Sequence, residues 1–132
     1  MPGYLLDTDI VSYALRGAPS VVAKILHHRR SGICISSISL AELRFGAHRI
    51  GPSKTQSLID SFIGDVAVLP FDREAANAFG TVATALARRG APIGQFDTLI
   101  AAHALATGRT LVTNNIKHFG RVQGLHMENW MA

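Results

Sequence analysis

Short apolar runs alternate along this chain with longer segments in which apolar residues recur at helical spacing. Four runs predict strands, at 4–6, 33–35, 66–69 and 110–112. Six segments predict helices, at 10–15, 20–28, 40–47, 55–63, 73–88 and 98–106. Alternating strands and helices are typical of an α/β domain with a mainly parallel central sheet. Continuous apolar runs suit such a sheet because its strands are buried on both faces.

The length and composition restrict the class of protein. The chain has 132 residues without a repeat or linker, so we expect a single domain over 1–132. One cysteine, Cys34, excludes an intrachain disulfide and a cysteine-based zinc cluster. There is no signal-peptide pattern and no apolar run near the roughly 18 residues of a membrane span, which predicts a cytoplasmic protein without membrane contact. The net charge of +4 favours an anionic partner without identifying it.

Several acidic residues lie where a predicted strand ends or a predicted helix begins. Asp7 ends the first strand with Asp9 beside it, Glu42 follows the second strand, and Asp97 precedes the helix at 98–106. The carboxyl ends of parallel strands share one edge of the sheet, where ligands bind in open α/β folds. We therefore expect these side chains to meet in one pocket.

Each acid also has a purely structural interpretation. Asp7 and Asp97 are suited to capping the helices that follow them. Ser39 and Glu42 fit the capping-box pattern S-x-x-E, in which Glu42 would accept a hydrogen bond from the Ser39 amide. Both interpretations remain open at this point.

The electrostatics of a shared pocket favour a bound cation. Two carboxylates about 4 Å apart repel by roughly 4 kcal/mol at an effective dielectric constant near 20. A helix N-terminus offsets only about 0.3–1 kcal/mol for each charge. Such a cluster needs a cation, a basic side chain or a raised pKa, and all-oxygen ligands suit Mg²⁺ or Mn²⁺. On a basic protein, this combination points to hydrolysis of phosphodiester bonds.

Five segments in order resemble the motifs of PIN-domain proteins, in particular the VapC toxins of bacterial toxin–antitoxin pairs. They are LLDTDI (5–10), ISSISLAEL (35–43), GAPIGQFD with IAAHA (90–104), LVTNN followed by Phe119 (111–119), and the closing segment 124–130. The resemblance implies a three-layer α/β/α sandwich and an endoribonuclease that depends on Mg²⁺ or Mn²⁺, with tRNA as its substrate.

The resemblance also implies roles for individual residues. Asp7, Glu42 and Asp97 match the catalytic acids, with Asp7 and Asp97 as metal ligands. Many relatives carry a fourth acid after the last strand, where this chain has Thr113-Asn114-Asn115. The residues expected behind the ligands or against the substrate are Asp9, Ser39, Thr113 and Asn115.

The implied partners are a VapB-like antitoxin, whose C-terminal tail would block the acidic groove, and a second copy of the chain. Operator DNA would be bound only through the antitoxin. The apolar helix face between Val82 and Leu86 is a candidate for the homodimer interface.

Two other functions compete with this one. Asp7-Thr8-Asp9-Ile10-Val11 matches the D-x-D-x-[TV] nucleophile motif of haloacid dehalogenase-like phosphatases, although a late carboxylate pair is missing. A catalytically silent module that binds RNA or a partner is the second alternative.

The sequence also predicts where two histidines and four phenylalanines lie. His103 lies in an apolar helix and is predicted to be a hydrogen-bonded core residue, and for His118, which closely follows Asn115, a substrate contact is the less favoured interpretation. Four phenylalanines are predicted to lie in the core, at positions 45, 62, 79 and 119.

Overall fold

The computed structural model describes residues 3–51 and 54–131. Five parallel strands form one sheet in the order β3-β2-β1-β4-β5. The strands are β1 (Tyr4–Leu6), β2 (Ile33–Ser36), β3 (Ala67–Leu69), β4 (Thr110–Val112) and β5 (Met127–Glu128). The helices are α1 (Thr8–Leu15), α2 (Pro19–His28), α3 (Ser37–Arg49), α4 (Lys54–Asp65), α5 (Arg73–Arg88), α6 (Gln95–Thr107) and the short α7 (Ile116–Phe119), with a 3₁₀ turn at Arg29–Ser31.

The sheet separates two hydrophobic clusters, which makes the molecule a three-layer sandwich. Successive strand residues point to opposite faces, so Leu5 and Leu6 enter different clusters. α5 and α6 cover the face that holds Leu5, while α1 to α4 cover the face that holds Leu6. The predicted fold class is therefore confirmed, and the sheet is parallel throughout.

The predicted elements differ from the observed ones mainly at their ends. α3 and α6 each begin three residues before the predicted start, because their first turns carry few of the apolar residues on which the prediction depends. The sequence pattern missed β5, which has only two residues and pairs with β4 through Leu111 and Val112. A strand this short has no periodicity to detect.

Three predictions about apolar and histidine side chains can be compared with the fold. Val82 and Leu86 are 7% and 3% exposed and pack in the core, and the dimer interface expected at this helix face stays a prediction. Phe45 is 67% exposed, which makes its core prediction wrong. His103 is buried and its Nδ1 lies 2.8 Å from the Ser36 hydroxyl, as predicted for a core histidine.

Across the described ranges, no helix combines the length and the apolar character that crossing a bilayer requires.

Candidate active site

Asp7 lies at the carboxyl end of the central strand β1 and is 4% exposed. It is the N-cap of α1, and its Oδ1 accepts a hydrogen bond of 2.8 Å from the Ile10 amide. The buried Thr113 hydroxyl, which follows β4, also bonds to this carboxyl group. The capping interpretation is therefore correct for Asp7, but the same side chain also faces the cleft described below.

Burial raises the pKa of Asp7 from 3.8 to about 6. Hydrogen bonds from Thr113 and Ile10 oppose this rise, whereas the charges of Asp9 and Asp97 add to it. The folded protein therefore stabilises the ionised carboxylate of Asp7 less well than water does.

Glu42 is held by a side chain that the sequence analysis did not single out. The Thr8 hydroxyl, in the first turn of α1, donates a hydrogen bond of 2.6 Å to Glu42 Oε1 and lies 3.0 Å from the Ser39 hydroxyl. Burial raises the pKa of Glu42, with Asp97 and Asp9 adding to the rise and the Thr8 hydrogen bond opposing it.

The capping-box interpretation of Ser39 and Glu42 is wrong. The N-cap of α3 is Ser36, whose hydroxyl accepts a hydrogen bond of 3.0 Å from the Ile38 amide. Ser39 is a buried residue within the helix, so Glu42 is free to bond to Thr8 across the two elements.

Asp97 lies in the first turn of α6, and it is not the cap of that helix either. The N-cap position is Gly94, with a φ of 95° that favours glycine and no side-chain hydrogen bond. Asp97 Oδ2 instead lies 3.0 Å from His118 Nε2. Burial raises the pKa of Asp97; the hydrogen bond and charge of His118 oppose the rise, and Asp9 adds to it.

These side chains line a single cleft of about 70 Å³ at the carboxyl edge of the sheet. The structure brings together all four predicted acids and Asn115, while Ser39 and Thr113 lie behind them against Thr8 and Asp7. Sequence reasoning missed the contribution of Thr8 and of the Phe119 ring. The lining residues are Asp7, Thr8, Asp9, Glu42, Asp97, Asn115 and Phe119.

The donor chemistry of the cleft suits a hard divalent cation. Four carboxylates and one side-chain amide line it, and these are the oxygen ligands that Mg²⁺ and Mn²⁺ prefer. Within the described residues, no three His, Cys, Asp or Glu side chains are already grouped as a ready-made metal site. The assignment of Asp7 and Asp97 as metal ligands therefore stays a prediction.

The sequence matches the model of the PIN domain family over residues 4–125. It is 38% identical over 128 residues to the tRNA(fMet)-specific endonuclease VapC of Shigella flexneri, covering 96% of this chain and 97% of that one. It is 36% identical over 129 residues to ribonuclease VapC2 of Haemophilus influenzae, covering 97% and 98% of the two chains.

The fold is similar to that of a chain in the crystal structure of VapBC2 from Rickettsia felis bound to a DNA fragment from their promoter. The TM-score is 0.92 at 38% identity, and the match covers 97% of this chain and 98% of that chain. The similarity in sequence and in structure therefore extends over nearly the whole length.

Proposed function

The chain belongs to the PIN-domain family, within its VapC ribonucleases, and we propose that it is the toxin of a toxin–antitoxin pair and hydrolyses RNA with the help of Mg²⁺ or Mn²⁺. The observation that carries this proposal is the single cleft lined by Asp7, Asp9, Glu42 and Asp97. Burial, with a smaller contribution from the neighbouring carboxylates, raises the pKa values of Asp7, Glu42 and Asp97, so a bound cation would stabilise their ionised forms.

The catalytic roles follow from burial and hydrogen bonding. Asp7 and Asp97 would hold the cation, since they flank the cleft from β1 and α6. Glu42 would orient and deprotonate the attacking water, because the Thr8 hydrogen bond to Oε1 fixes its carboxylate and its raised pKa makes it a stronger base. Asn115 would contact the substrate, as its side chain adds an uncharged polar group to the lining.

A bound Mg²⁺ or Mn²⁺ supplies charge stabilisation for the phosphoryl oxygens and acidifies water. Attack of water on phosphorus breaks the bond to the 3′ oxygen, so the products carry a 5′-phosphate and a 3′-hydroxyl. Participation of the ribose 2′-hydroxyl would instead give a 2′,3′-cyclic phosphate.

We propose tRNA as the substrate, with initiator tRNA as the first to test. The support is the name of the Shigella flexneri relative, a tRNA(fMet)-specific endonuclease of nearly equal length. The net charge of +4 is consistent with a polyanionic substrate.

We further propose a VapB-like antitoxin as the protein partner, a homodimeric toxin, and operator DNA bound only through the antitoxin. Beside the acidic cleft lies a groove of about 310 Å³ that shares Thr8 and Glu42 with it. Its other walls include Leu43, Ile50 and Leu58, of which Ile50 and Leu58 are 65% and 44% exposed. An antitoxin tail with an apolar anchor here would reach the acids directly.

The alternatives are less consistent with these observations. A haloacid dehalogenase-like phosphatase belongs to a different family, and the PIN match covers residues 4–125. A catalytically silent binding module does not account for four acids in one cleft. It also does not account for a buried Asp7 whose pKa is raised to about 6.

The test is cleavage of initiator tRNA by purified protein with Mg²⁺, with EDTA, and after the substitution Asp97→Asn. We expect cleavage only by the native protein with metal, and products with 5′-phosphate ends. Cleavage that persists in EDTA, or 2′,3′-cyclic phosphate products, would refute the metal-dependent hydrolysis. Unchanged tRNA in every sample, alongside cleavage of another RNA, would refute the substrate alone.

A further inference from the structure

The contact between His118 and Asp97 joins α7 to an acid that lines the cleft. His118 Nε2 lies 3.0 Å from Asp97 Oδ2. An ionised carboxylate can only accept hydrogen bonds, so Nε2 carries the proton that is shared. The neutral imidazole with its proton on Nε2 and the imidazolium ion both make this bond, so the contact does not depend on the charge of His118.

The backbone around His118 holds the imidazole in place. α7 is a single turn that begins after Asn115, whose amide bonds to the Thr113 hydroxyl at 3.0 Å. The next residue, Phe119, is 1% exposed, and its ring meets the His118 ring edge to face at 5.3 Å. His118 is therefore held in place by Asn115 before it and by Phe119 after it, and its side chain is 24% exposed.

Asp97 lacks a comparable support from its own helix. Its side chain is 41% exposed, and the position before α6 is filled by Gly94, which offers no side chain. Asp7 is held by the Ile10 amide of α1, whereas Glu42, like Asp97, is held by a side chain from another element, Thr8. Among the described residues, the side-chain hydrogen bond to Asp97 comes from His118.

We propose that His118 is a positioning residue, which fixes the Asp97 carboxylate by bonding to Oδ2 and so leaves Oδ1 for the divalent cation. This inference rests on the proposed function, in which Asp97 is a metal ligand. Groups that hydrogen-bond to metal ligands typically change metal affinity about 10- to 100-fold when they are removed. Removing such a group changes the overall stability little when the hydrogen-bonded pair is as exposed as His118 and Asp97.

The experiment measures Mn²⁺ affinity by calorimetry for the native protein, His118→Ala, His118→Gln and His126→Ala. Glutamine keeps an N–H donor near the position of Nε2, whereas alanine removes it. His126 is exposed and does not line the cleft, so its substitution is the matched control. Thermal unfolding of the metal-free proteins verifies that all four are folded.

We expect His118→Ala to bind Mn²⁺ about tenfold more weakly, with His118→Gln and His126→Ala close to the native protein. RNA cleavage by His118→Ala should recover in part when the Mg²⁺ concentration is raised. Native-like Mn²⁺ affinity of His118→Ala would overturn the inference, and so would a loss that glutamine does not restore. If the native protein itself neither binds Mn²⁺ nor cleaves RNA, the proposed function fails instead.

Discussion

At the scale of the residue, Asp7 combines two demands that conflict. As the N-cap of α1 it needs an acceptor oxygen, which an asparagine supplies as well as an aspartate. As a cleft residue it carries a charge although it is 4% exposed, and its pKa rises from 3.8 to about 6. Between these two pH values the folded protein binds more protons than the unfolded chain. Stability is therefore lost as the pH rises through this window, and the loss is complete above pH 6.

We therefore predict that Asp7→Asn abolishes RNA cleavage and at the same time stabilises the metal-free protein. The gain should be about 1–3 kcal/mol at pH 8, because the neutral amide keeps the cap and avoids the buried charge. Urea unfolding in EDTA at pH 4 and pH 8 measures it, and the gain should shrink towards pH 4. Asp65→Asn is the control, since Asp65 is exposed and lies outside the cleft. Asp7→Asn being the less stable protein at pH 8 would contradict the burial argument.

At the scale of the element, Thr8 connects α1 to α3. Its hydroxyl bonds to Glu42 and lies beside Ser39, so the first turn of α1 fixes the side chain that we assign as the general base. The pair is 34 residues apart in the sequence. Its geometry depends on β1 and β2 being parallel neighbours, with Leu6 opposite Ile35.

Thr8→Val should lower the rate of RNA cleavage about 10- to 100-fold, since a misplaced base loses its geometry with the substrate. The substitution keeps the size of the side chain and should cost about 1 kcal/mol of stability for the lost hydrogen bond. Single-turnover cleavage at saturating Mg²⁺ measures the effect. Thr107→Val is the matched control, because the Thr107 hydroxyl bonds only to carbonyl groups of its own helix. Equal rates for the two variants would show that Thr8 does not position Glu42.

Hydrophobic spacing predicted the elements that pack on both faces of the sheet, and the acids were found because Asp7 and Glu42 follow strands and Asp97 precedes a helix. Contacts between elements could not be predicted in this way. The pattern gives no distance between His118 and Asp97, which are 21 residues apart. It also does not separate an apolar residue of the core from one that faces solvent, which is why Phe45 was placed wrongly.

At the scale of the whole molecule, the acids are concentrated at one edge of a chain whose net charge is +4. The parallel sheet produces this concentration, because Asp7 and Thr113 follow the neighbouring strands β1 and β4, and Glu42 follows β2 in the adjoining helix α3. The adjoining apolar groove lies between α1, α3 and α4, so one ligand is able to contact both the groove and the acids.

Ile50→Asp should weaken antitoxin binding at least tenfold, roughly the effect of losing one apolar anchor in an interface. RNA cleavage by the free toxin should change much less, because Ile50 does not line the acidic cleft. Leu26→Asp is the control, as Leu26 is 58% exposed but lies outside this groove. Calorimetric titration with the antitoxin measures the affinity of Ile50→Asp and of Leu26→Asp. Native affinity of Ile50→Asp would place the antitoxin elsewhere.

The proposed function requires Asp7 and Asp97 to act together on one divalent cation. This requirement is tested by measuring Mn²⁺ affinity with electron paramagnetic resonance. The proteins compared are the native protein, Asp7→Asn, Asp97→Asn and the exposed control Asp60→Asn. We predict that the native protein and Asp60→Asn bind Mn²⁺ with the same affinity. Asp7→Asn and Asp97→Asn should each bind it at least tenfold more weakly, since each loses a charged ligand of the same ion. Undiminished Mn²⁺ binding by both cleft variants would contradict the account.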